Sequence, residues 1–311
     1  MKVTVVGAGF YGSTLASRVA EAGYADEVVL VDVVEGRPQG LALDLMQSRA
    51  LAGFTTRVVG TNGYGPTAGS EVCVVTAGVA RKPGMSRADL TSTNAAIVAD
   101  VTRRLVEVSP DTVLIVVSNP LDEMTALAAH VSGLSADRVM GQAGVLDSAR
   151  FRHFLAERLG VDVARVDALT LGSHGEAMVP VPSLALVDGR PLAGLLAPEA
   201  IDEVVRRTRD GGAEIVGLLK SGSAFYAPAA AAEAMVHAVV TGRGAVLPAS
   251  VWVDGPYGIA GAYVGVPVRL GRGGVVEIVE LPLAPEERAA LQAAAIAVGE
   301  RQRDVLASSP A

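Results

Sequence analysis

The N-terminal segment constrains the fold more than any other, because a short β-branched run leads directly into a glycine-rich loop. KVTVV at residues 2–6 is followed by GAGFYG, which places Gly7, Gly9 and Gly12 before a segment with helical periodicity. The first glycine permits a tight turn, the second a close backbone approach to a ligand, and the third close packing of the helix on the strand. Because phosphate groups bind well at a helix N-terminus, this arrangement predicts a dinucleotide-binding loop.

An acidic residue, Asp32, ends the second apolar run, EVVLVD, at the distance from the loop that a dinucleotide site requires. A carboxylate there accepts hydrogen bonds from a ribose 2′-hydroxyl and repels a 2′-phosphate. Asp32 therefore favours NAD over NADP as the cofactor. The alternative is that the glycines serve an ordinary turn, but the preceding strand, the following helix and Asp32 together make it less favourable.

Strand-like and helix-like segments alternate through the first half of the chain. We predict strands near residues 2–6, 27–31, 55–59, 71–75 and 112–117, and helices near 10–23, 36–51, 87–109 and 122–133. This alternation predicts an α/β fold with a Rossmann-type doubly wound parallel sheet and a ligand at the carboxyl ends of its strands.

The second half of the chain changes character. We predict a helix near 146–160, short strands near 180–187, helices near 198–219 and 228–240, glycine-punctuated strands from 245 to 279, and a final helix opened by Pro285. The domain boundary is placed near residue 143. This gives an NAD-binding domain at 1–143 and a second, α+β catalytic domain at 144–311.

Composition argues against several classes of protein. The chain has 311 residues, of which 50% are hydrophobic, and a net charge of −7, which argues against a nucleic-acid partner. No apolar run approaches membrane-spanning length, so no membrane partner is expected. The single cysteine, Cys73, forbids an intrachain disulfide and fits a reducing, cytoplasmic compartment. The first strand is predicted at residue 2, so no signal peptide is expected, and no residue spacing suggests a metal site.

One histidine lies in a setting suited to catalysis. The segment TLGSHGEAMVP places His174 between Gly172 and Gly175 after an apolar run. A side chain that titrates near neutral pH can both take and return a proton. The ordinary alternative is a structural histidine, and His130, His153 and His237 are interpreted in that way because they lie in helical patterns.

Further candidate residues lie elsewhere in the chain. GVLDSARF places Asp147 and Arg150 on one face at a helix start, for which an exposed ion pair is the ordinary explanation. VVSNPLDEMT places Asn119 at the carboxyl end of a strand. The loop TAGVARKPGMSRADLTSTN carries Arg81 and Arg87 and could close over an anionic substrate, although a solvated basic loop would have the same composition.

Together these motifs resemble the lactate/malate dehydrogenase family, most closely its lactate-dehydrogenase-like malate dehydrogenases. The match runs nearly end to end, through GAGFYG, VDVVEG, QGLALDL, GVARKPGMSRADL, VSNPLD, GVLDSARFR, GSHGEAMVP and GSAFYAPAAA.

The resemblance implies a role for each candidate. His174 is expected to be the proton acceptor and donor, Asp147 its orienting carboxylate, and Arg150 the bidentate clamp on the C1 carboxylate of the substrate. Arg87 would polarise the reacting carbonyl, and Asn119 would hydrogen-bond substrate and cofactor. The family pattern adds Asn94 and Val117 near the nicotinamide. The expected cofactor-binding residues are Gly7, Ala8, Gly9, Phe10, Tyr11, Gly12, Asp32, Asn94, Val117 and Asn119.

Substrate choice within the family rests on the residue before Lys82-Pro83-Gly84. Lactate dehydrogenases typically carry glutamine there, whereas this chain carries Arg81, which would bind a second carboxylate. Ala224 would leave room for the larger side chain. The resemblance therefore implies NAD-dependent interconversion of (S)-malate and oxaloacetate, in a homodimer or homotetramer. The alternatives are a dehydrogenase of lactate or another 2-hydroxy acid, a non-catalytic NAD-binding module, and a metal-dependent enzyme with the same nucleotide fold.

Overall fold

The computed structural model describes residues 1–79, 86–175 and 177–308, with Arg87 described by its backbone alone. The N-terminal half alternates strands and helices, as the sequence predicts. Its strands are β1 (Lys2–Val6), β2 (Glu27–Val31), β3 (Arg57–Thr61), β4 (Val72–Val75), β5 (Val113–Val116) and β6 (Val139–Gly141). Its helices are α1 (Phe10–Ala22), α2 (Arg37–Ala52), α3 (Arg87–Val108) and α4 (Leu121–Ser132).

These strands form a parallel sheet in the order β3-β2-β1-β4-β5-β6. β4 and β5 are buried at every position, as expected for parallel strands covered by helices on both faces. β2 and β3 follow on one side of β1, whereas β4, β5 and β6 follow on its other side. The strand order therefore reverses between the neighbouring strands β1 and β4. In an open parallel sheet, a ligand binds at such a reversal, beyond the carboxyl ends of the strands.

The C-terminal half mixes helices with antiparallel strands. Its helices are α5 (Gly144–Leu159), α6 (Pro198–Leu219), α7 (Tyr226–Thr241) and α8 (Pro285–Ser308). Its strands are β7 (Val166–Asp167), β8 (Thr170–Gly172), β9 (Met178–Pro180), β10 (Leu186–Val187), β11 (Arg190–Pro191), β12 (Val246–Val253), β13 (Ala262–Gly271) and β14 (Gly274–Ile278).

The large sheet continues from one half of the chain into the other. β12 pairs antiparallel with β6 through Ser250 and Gly141, and the order then runs β12-β13-β8-β9, with β14 on β13. The predicted boundary near residue 143 falls between β6 and α5, so the sheet itself crosses it. A small separate sheet has the order β11-β10-β7.

Helices cover both faces of the parallel sheet. One apolar cluster joins side chains of β1, α1 and α7, including Val5, Leu15 and Met235. A second cluster joins β4, α3 and α4, and it contains Cys73 and Leu105. Within the described part of the chain, none of these helices combines the length and apolar character needed to cross a membrane.

Several predicted element positions need correction. β3 lies two residues later than expected, because its pairing with β2 begins with Arg57 opposite Glu27. The short strands predicted near 180–187 are β9, which begins earlier at Met178, and β10, and a 3₁₀ turn at Pro182–Leu184 separates them, where proline cannot donate to a strand ladder. β6 was not predicted, since three residues carry too little periodicity to be distinguished from a loop.

Candidate active site

The glycine-rich loop joins β1 to α1 in a tight turn. A Cβ atom at Gly12 would lie 1.8 Å from the carbonyl oxygen of Gly7, so the packing of α1 on this loop requires glycine at position 12. A Cβ atom at Gly9 would instead meet no atom of the described residues within 4 Å. The backbone of Gly9 therefore faces open space and can be approached closely by a ligand.

A cavity of about 800 Å³ opens beside this loop. Its volume is within the range of small-molecule and cofactor sites, about 300–1,000 Å³. Residues from both halves of the chain contribute to its wall. They include Gly7, Gly9, Phe10, Tyr11, Gly12 and Asp32 from the first half and Ser223, Ala224 and Phe225 from the second.

Backbone N–H groups hold the Asp32 carboxylate at the wall of this cavity. Ala8 N–H donates to Oδ2 at 2.6 Å, and Val34 N–H donates to Oδ1 at 2.9 Å. Each carboxylate oxygen keeps a further lone pair, which a ribose hydroxyl could use. Arg37 lines the same cavity, so a cation lies in the region that Asp32 faces.

The N-terminus of α1 is suited to an anionic group. Its N-cap residue is Gly9, and neither a side-chain cap nor an acidic first-turn residue occupies this helix end in the described structure. First-turn N–H groups without such partners attract phosphate. The loop, the helix end and Asp32 together fit the diphosphate and ribose of NAD.

The other predicted cofactor residues, Ala8, Asn94, Val117 and Asn119, stand outside the residues that line this cavity. Asn94 is buried, and its side chain bridges two backbone segments. Val79 N–H donates to Asn94 Oδ1 at 2.8 Å, and Asn94 Nδ2 donates to the carbonyl oxygen of Asn119 at 2.6 Å. The amide of Asn94 thus fixes the segment after β4 against the segment after β5.

His174 and Asp147 meet as the sequence analysis expects. β8 ends at Gly172, and Gly172 and Gly175 have φ values of 80° and 139°, which glycine adopts without strain. The turn between them brings His174 Nδ1 within 2.8 Å of Asp147 Oδ2, in the first turn of α5. Among the described residues, no hydrogen bond to the other ring nitrogen, Nε2, accompanies this contact.

Arg150 completes a row of three charged or titratable side chains. Its Nη1 lies 3.1 Å from Asp147 Oδ1, so the two oxygens of Asp147 contact two different partners. Asp147 is 2% exposed and Arg150 13%, which makes this a largely buried ion pair rather than the exposed pair that helix spacing alone suggested. A Cβ atom at Gly212 of α6 would lie 3.5 Å from Arg150 Nη2, so α6 flanks the guanidinium.

Opposing effects set the pKa of His174. Burial lowers the pKa, whereas the charge of Asp147 and its hydrogen bond to Nδ1 raise it, with a further rise from Asp122 and a lowering by Arg150. The net result is a pKa above the ordinary value for histidine. The neighbouring carboxylates therefore favour the protonated ring, which is the form that returns a proton in acid–base catalysis.

Two predicted substrate residues fall beyond what the structure covers. Arg81 lies outside the described residues, and so does the side chain of Arg87. Ala224 lines the cavity beside the glycine-rich loop, and its expected role in making room for the substrate stays a prediction.

Two kinds of residue near the site are not apparent from the sequence. Asn62 Nδ2 donates to the carbonyl oxygens of Asp32 and Val34 and so supports the end of β2. Asp122 and Ser250 lie behind the His174 turn, and the Ser250 hydroxyl donates a hydrogen bond to the Asp122 carboxylate. The only signal for Asp122 was an acidic residue after Asn-Pro-Leu at a helix start, a pattern that is common on exposed helices.

No group of three or more His, Cys, Asp and Glu side chains suited to a metal ion occurs among residues 1–79, 86–175 and 177–308.

Comparison with known sequences identifies the class of protein. The NAD binding domain of lactate/malate dehydrogenase matches residues 1–141, and the alpha/beta C-terminal domain of lactate/malate dehydrogenase matches residues 144–305. The chain therefore belongs to the lactate/malate dehydrogenase family, whose members are oxidoreductases that act on CH–OH groups with NAD.

Similar individual proteins narrow the comparison. A malate dehydrogenase of Chlorobium phaeovibrioides is 51% identical over 99% of this chain and 100% of its own length. The structure of malate dehydrogenase from Salinibacter ruber has a TM-score of 0.94 and 48% identity, and the match covers 99% of this chain and 98% of that one. The lactate dehydrogenase of Cryptosporidium parvum, complexed with lactic acid and the NAD cofactor, also has a TM-score of 0.94, at 40% identity, with the same coverage.

Proposed function

We propose that this chain catalyses the reversible NAD-dependent oxidation of (S)-malate to oxaloacetate. The observation that carries the proposal is the 2.8 Å contact between His174 Nδ1 and Asp147, with Arg150 on the other oxygen of the same carboxylate. Relatives named malate dehydrogenase, which are 51% and 52% identical over nearly the full length of this chain, support the same reaction.

The chain's own residues move the proton of this reaction. In malate oxidation, His174 Nε2 takes the proton of the substrate hydroxyl while Nδ1 stays bonded to Asp147. The carboxylate holds the ring orientation and stabilises the imidazolium that forms. In oxaloacetate reduction, the same imidazolium returns the proton to the oxygen that becomes the hydroxyl.

The cofactor would accept the hydride, and the protein would bind and orient the cofactor. When bound, NAD would serve as the acceptor for the hydride that leaves the substrate carbon. The loop at Gly7–Gly12 would hold its diphosphate and Asp32 its adenosine ribose, which favours NAD over a cofactor with a 2′-phosphate.

Cationic side chains would orient the dicarboxylate. Arg150 suits the C1 carboxylate, because its planar fork can donate two parallel hydrogen bonds. Arg81 would bind the distal carboxylate, Arg87 would polarise the reacting carbonyl, and Asn119 would hydrogen-bond the substrate. Without the contact to Arg81, the remaining residues would serve a 2-hydroxy monocarboxylate such as lactate equally well. Lactate dehydrogenation is therefore the second candidate, supported by the similarity to the Cryptosporidium parvum enzyme.

Replacing His174 by Asn tests the proposal. Turnover of oxaloacetate should fall by roughly 10²–10⁴, the usual effect of losing a general acid–base group. NADH affinity, measured by fluorescence titration, should stay close to that of the wild type. His153→Asn is the matched control, because His153 is exposed on α5 and should be replaceable without loss. Near wild-type turnover of His174→Asn would remove His174 from the mechanism.

We also propose that the chain forms a homodimer or homotetramer. Several large apolar side chains of α2 and of the segment around α7 are exposed, including Leu43, Leu51 and Tyr226. Tyr226 lines a surface cavity together with Leu41 and Leu45 of α2, and a contiguous exposed apolar surface marks an interaction site. Light scattering should give two or four times the chain mass of 31.7 kDa, and Leu43→Glu should lower that mass. The mass of a single chain for the wild type would contradict the proposal.

A further inference from the structure

A buried carboxylate lies directly behind the His174 turn. Asp122 is 1% exposed and lies in the first turn of α4. Its Oδ2 accepts a hydrogen bond from the backbone N–H of His174 at 3.1 Å and one from the Ser173 hydroxyl at 2.8 Å. Its Oδ1 lies 2.7 Å from the hydroxyl of Ser250.

These contacts join three segments that are distant in sequence. Asp122 follows Asn119 after β5, Ser173 and His174 follow β8, and Ser250 lies in β12. The backbone N–H of His174 can only donate, so Oδ2 must accept there. The position in the first turn of a helix also favours the anionic form of Asp122.

Charged groups face His174 from two helices. From α5, the Asp147 carboxylate and the Arg150 guanidinium face the ring, and from α4 the Asp122 carboxylate lies behind the backbone. Glu123, the next residue of α4, is also buried, but its carboxylate pairs with Arg301 of α8. The pKa of Asp122 lies above its ordinary value, because burial and the nearby charge of Glu123 raise it, although the hydrogen bonds from Ser250, Ser173 and His174, which favour the ionised carboxylate, lower it.

We propose that Asp122 is a positioning residue for His174, which fixes the His174 peptide through its N–H and places a second negative charge behind the imidazole. The inference rests on the proposed acid–base role of His174. It assigns the aspartate of the Asn-Pro-Leu-Asp segment to the proton-transfer machinery without substrate contact. The acid–base strength of His174 would then depend on two carboxylates, one bonded to the ring and one bonded to the backbone.

Asp122→Asn removes the charge and can keep the geometry. The amide oxygen can accept from Ser173 and from His174 N–H, and the amide nitrogen can donate to Ser250. The imidazolium loses an attractive charge, so the titration midpoint of His174 should fall by roughly 1 pH unit. Glu123→Gln is the matched control, because it removes a buried negative charge one residue away that pairs with Arg301 and opposes the ionisation of Asp122, so it should not lower the midpoint.

The midpoint is measured by NMR on the full chain with ¹³C-labelled histidine, without substrate or cofactor. The signal of His174 is identified by its loss in His174→Asn. Because this titration needs no turnover, it tests Asp122 independently of the proposed reaction. In wild type and Asp122→Asn, kcat/KM for oxaloacetate with NADH is measured against pH. Reduction needs protonated His174, so its activity should decline at a lower pH in Asp122→Asn.

Ser250→Ala gives a second test in case Asp122→Asn does not fold. Loss of this donor makes the ionised form of Asp122 less favourable, so the His174 midpoint should move in the same direction by a smaller amount. An unchanged midpoint in folded Asp122→Asn, or in Ser250→Ala if only that variant folds, overturns the inference. Wild-type protein that reduces no oxaloacetate would instead overturn the proposed function and leave the titration result standing.

Discussion

One carboxylate serves two functional partners in this site. Asp147 Oδ2 contacts His174 and Oδ1 contacts Arg150, so the proposed proton-transfer group and the proposed carboxylate clamp share a single support. A substitution at Asp147 would disturb both partners at once. Variants of His174 and Asp122 separate proton transfer from substrate binding more cleanly.

The resemblance to the family, carried by the order of its motifs, predicts which residues meet at the centre of the site. His174, Asp147 and Arg150 were expected from their motifs, and the structure brings His174 to Asp147 although 27 positions separate them. Asp122 was not expected, because its neighbour Glu123 has the same chemistry and burial but a different partner. Which of two adjacent acids lies behind the His174 turn depends on the packing of α4 against β12, and no local pattern encodes that packing.

At the scale of single elements, two glycines of the loop are needed for different reasons. Gly12 allows α1 to pack on the loop, and Gly9 allows the cofactor to approach the backbone. Gly12→Ala would place a methyl group against the Gly7 carbonyl oxygen, so the loop or α1 must move. The melting temperature should fall, and the dissociation constant for NADH should rise by at least tenfold, since about 1.4 kcal/mol of lost binding has that effect. Thermal unfolding and NADH fluorescence titration measure the two quantities.

Gly9→Ala tests cofactor binding without disturbing the packing of α1. Gly9 has a φ of −75°, which alanine adopts freely, and its methyl group would point into open space. The melting temperature should match the wild type while NADH affinity falls, because the backbone could no longer approach the diphosphate closely. Unchanged NADH affinity in Gly9→Ala would show that the cofactor does not bind against this loop.

Elements with strong periodicity were predicted well, and short elements were not. β1, β2, α1 and α3 lie within a residue of their expected bounds, because buried runs and helical patterns of that length are distinctive. The two- and three-residue strands β6, β7 and β8 depend on pairing with distant strands. Long-range pairing of this kind leaves no periodic trace in the sequence.

The whole molecule places its site where the two halves of the chain meet. The cavity is lined from both sides, and Phe10 of α1 stacks on Phe225 with ring centroids 5.3 Å apart. The net charge of −7 means that the protein as a whole does not attract a dianion. Recognition of malate therefore has to rest on local cations, of which Arg150 is placed beside His174 and Arg81 is assigned from sequence alone.

The most direct test of the account is substrate preference. With NADH, kcat/KM should be higher for oxaloacetate than for pyruvate, and Arg81→Gln should lower the value for oxaloacetate by roughly 30-fold to several thousandfold, the cost of stranding a desolvated carboxylate. Pyruvate lacks that carboxylate and should lose little. Arg87→Gln should slow both substrates alike. Equal or better use of pyruvate by the wild type would contradict the assignment to malate and favour a lactate dehydrogenase.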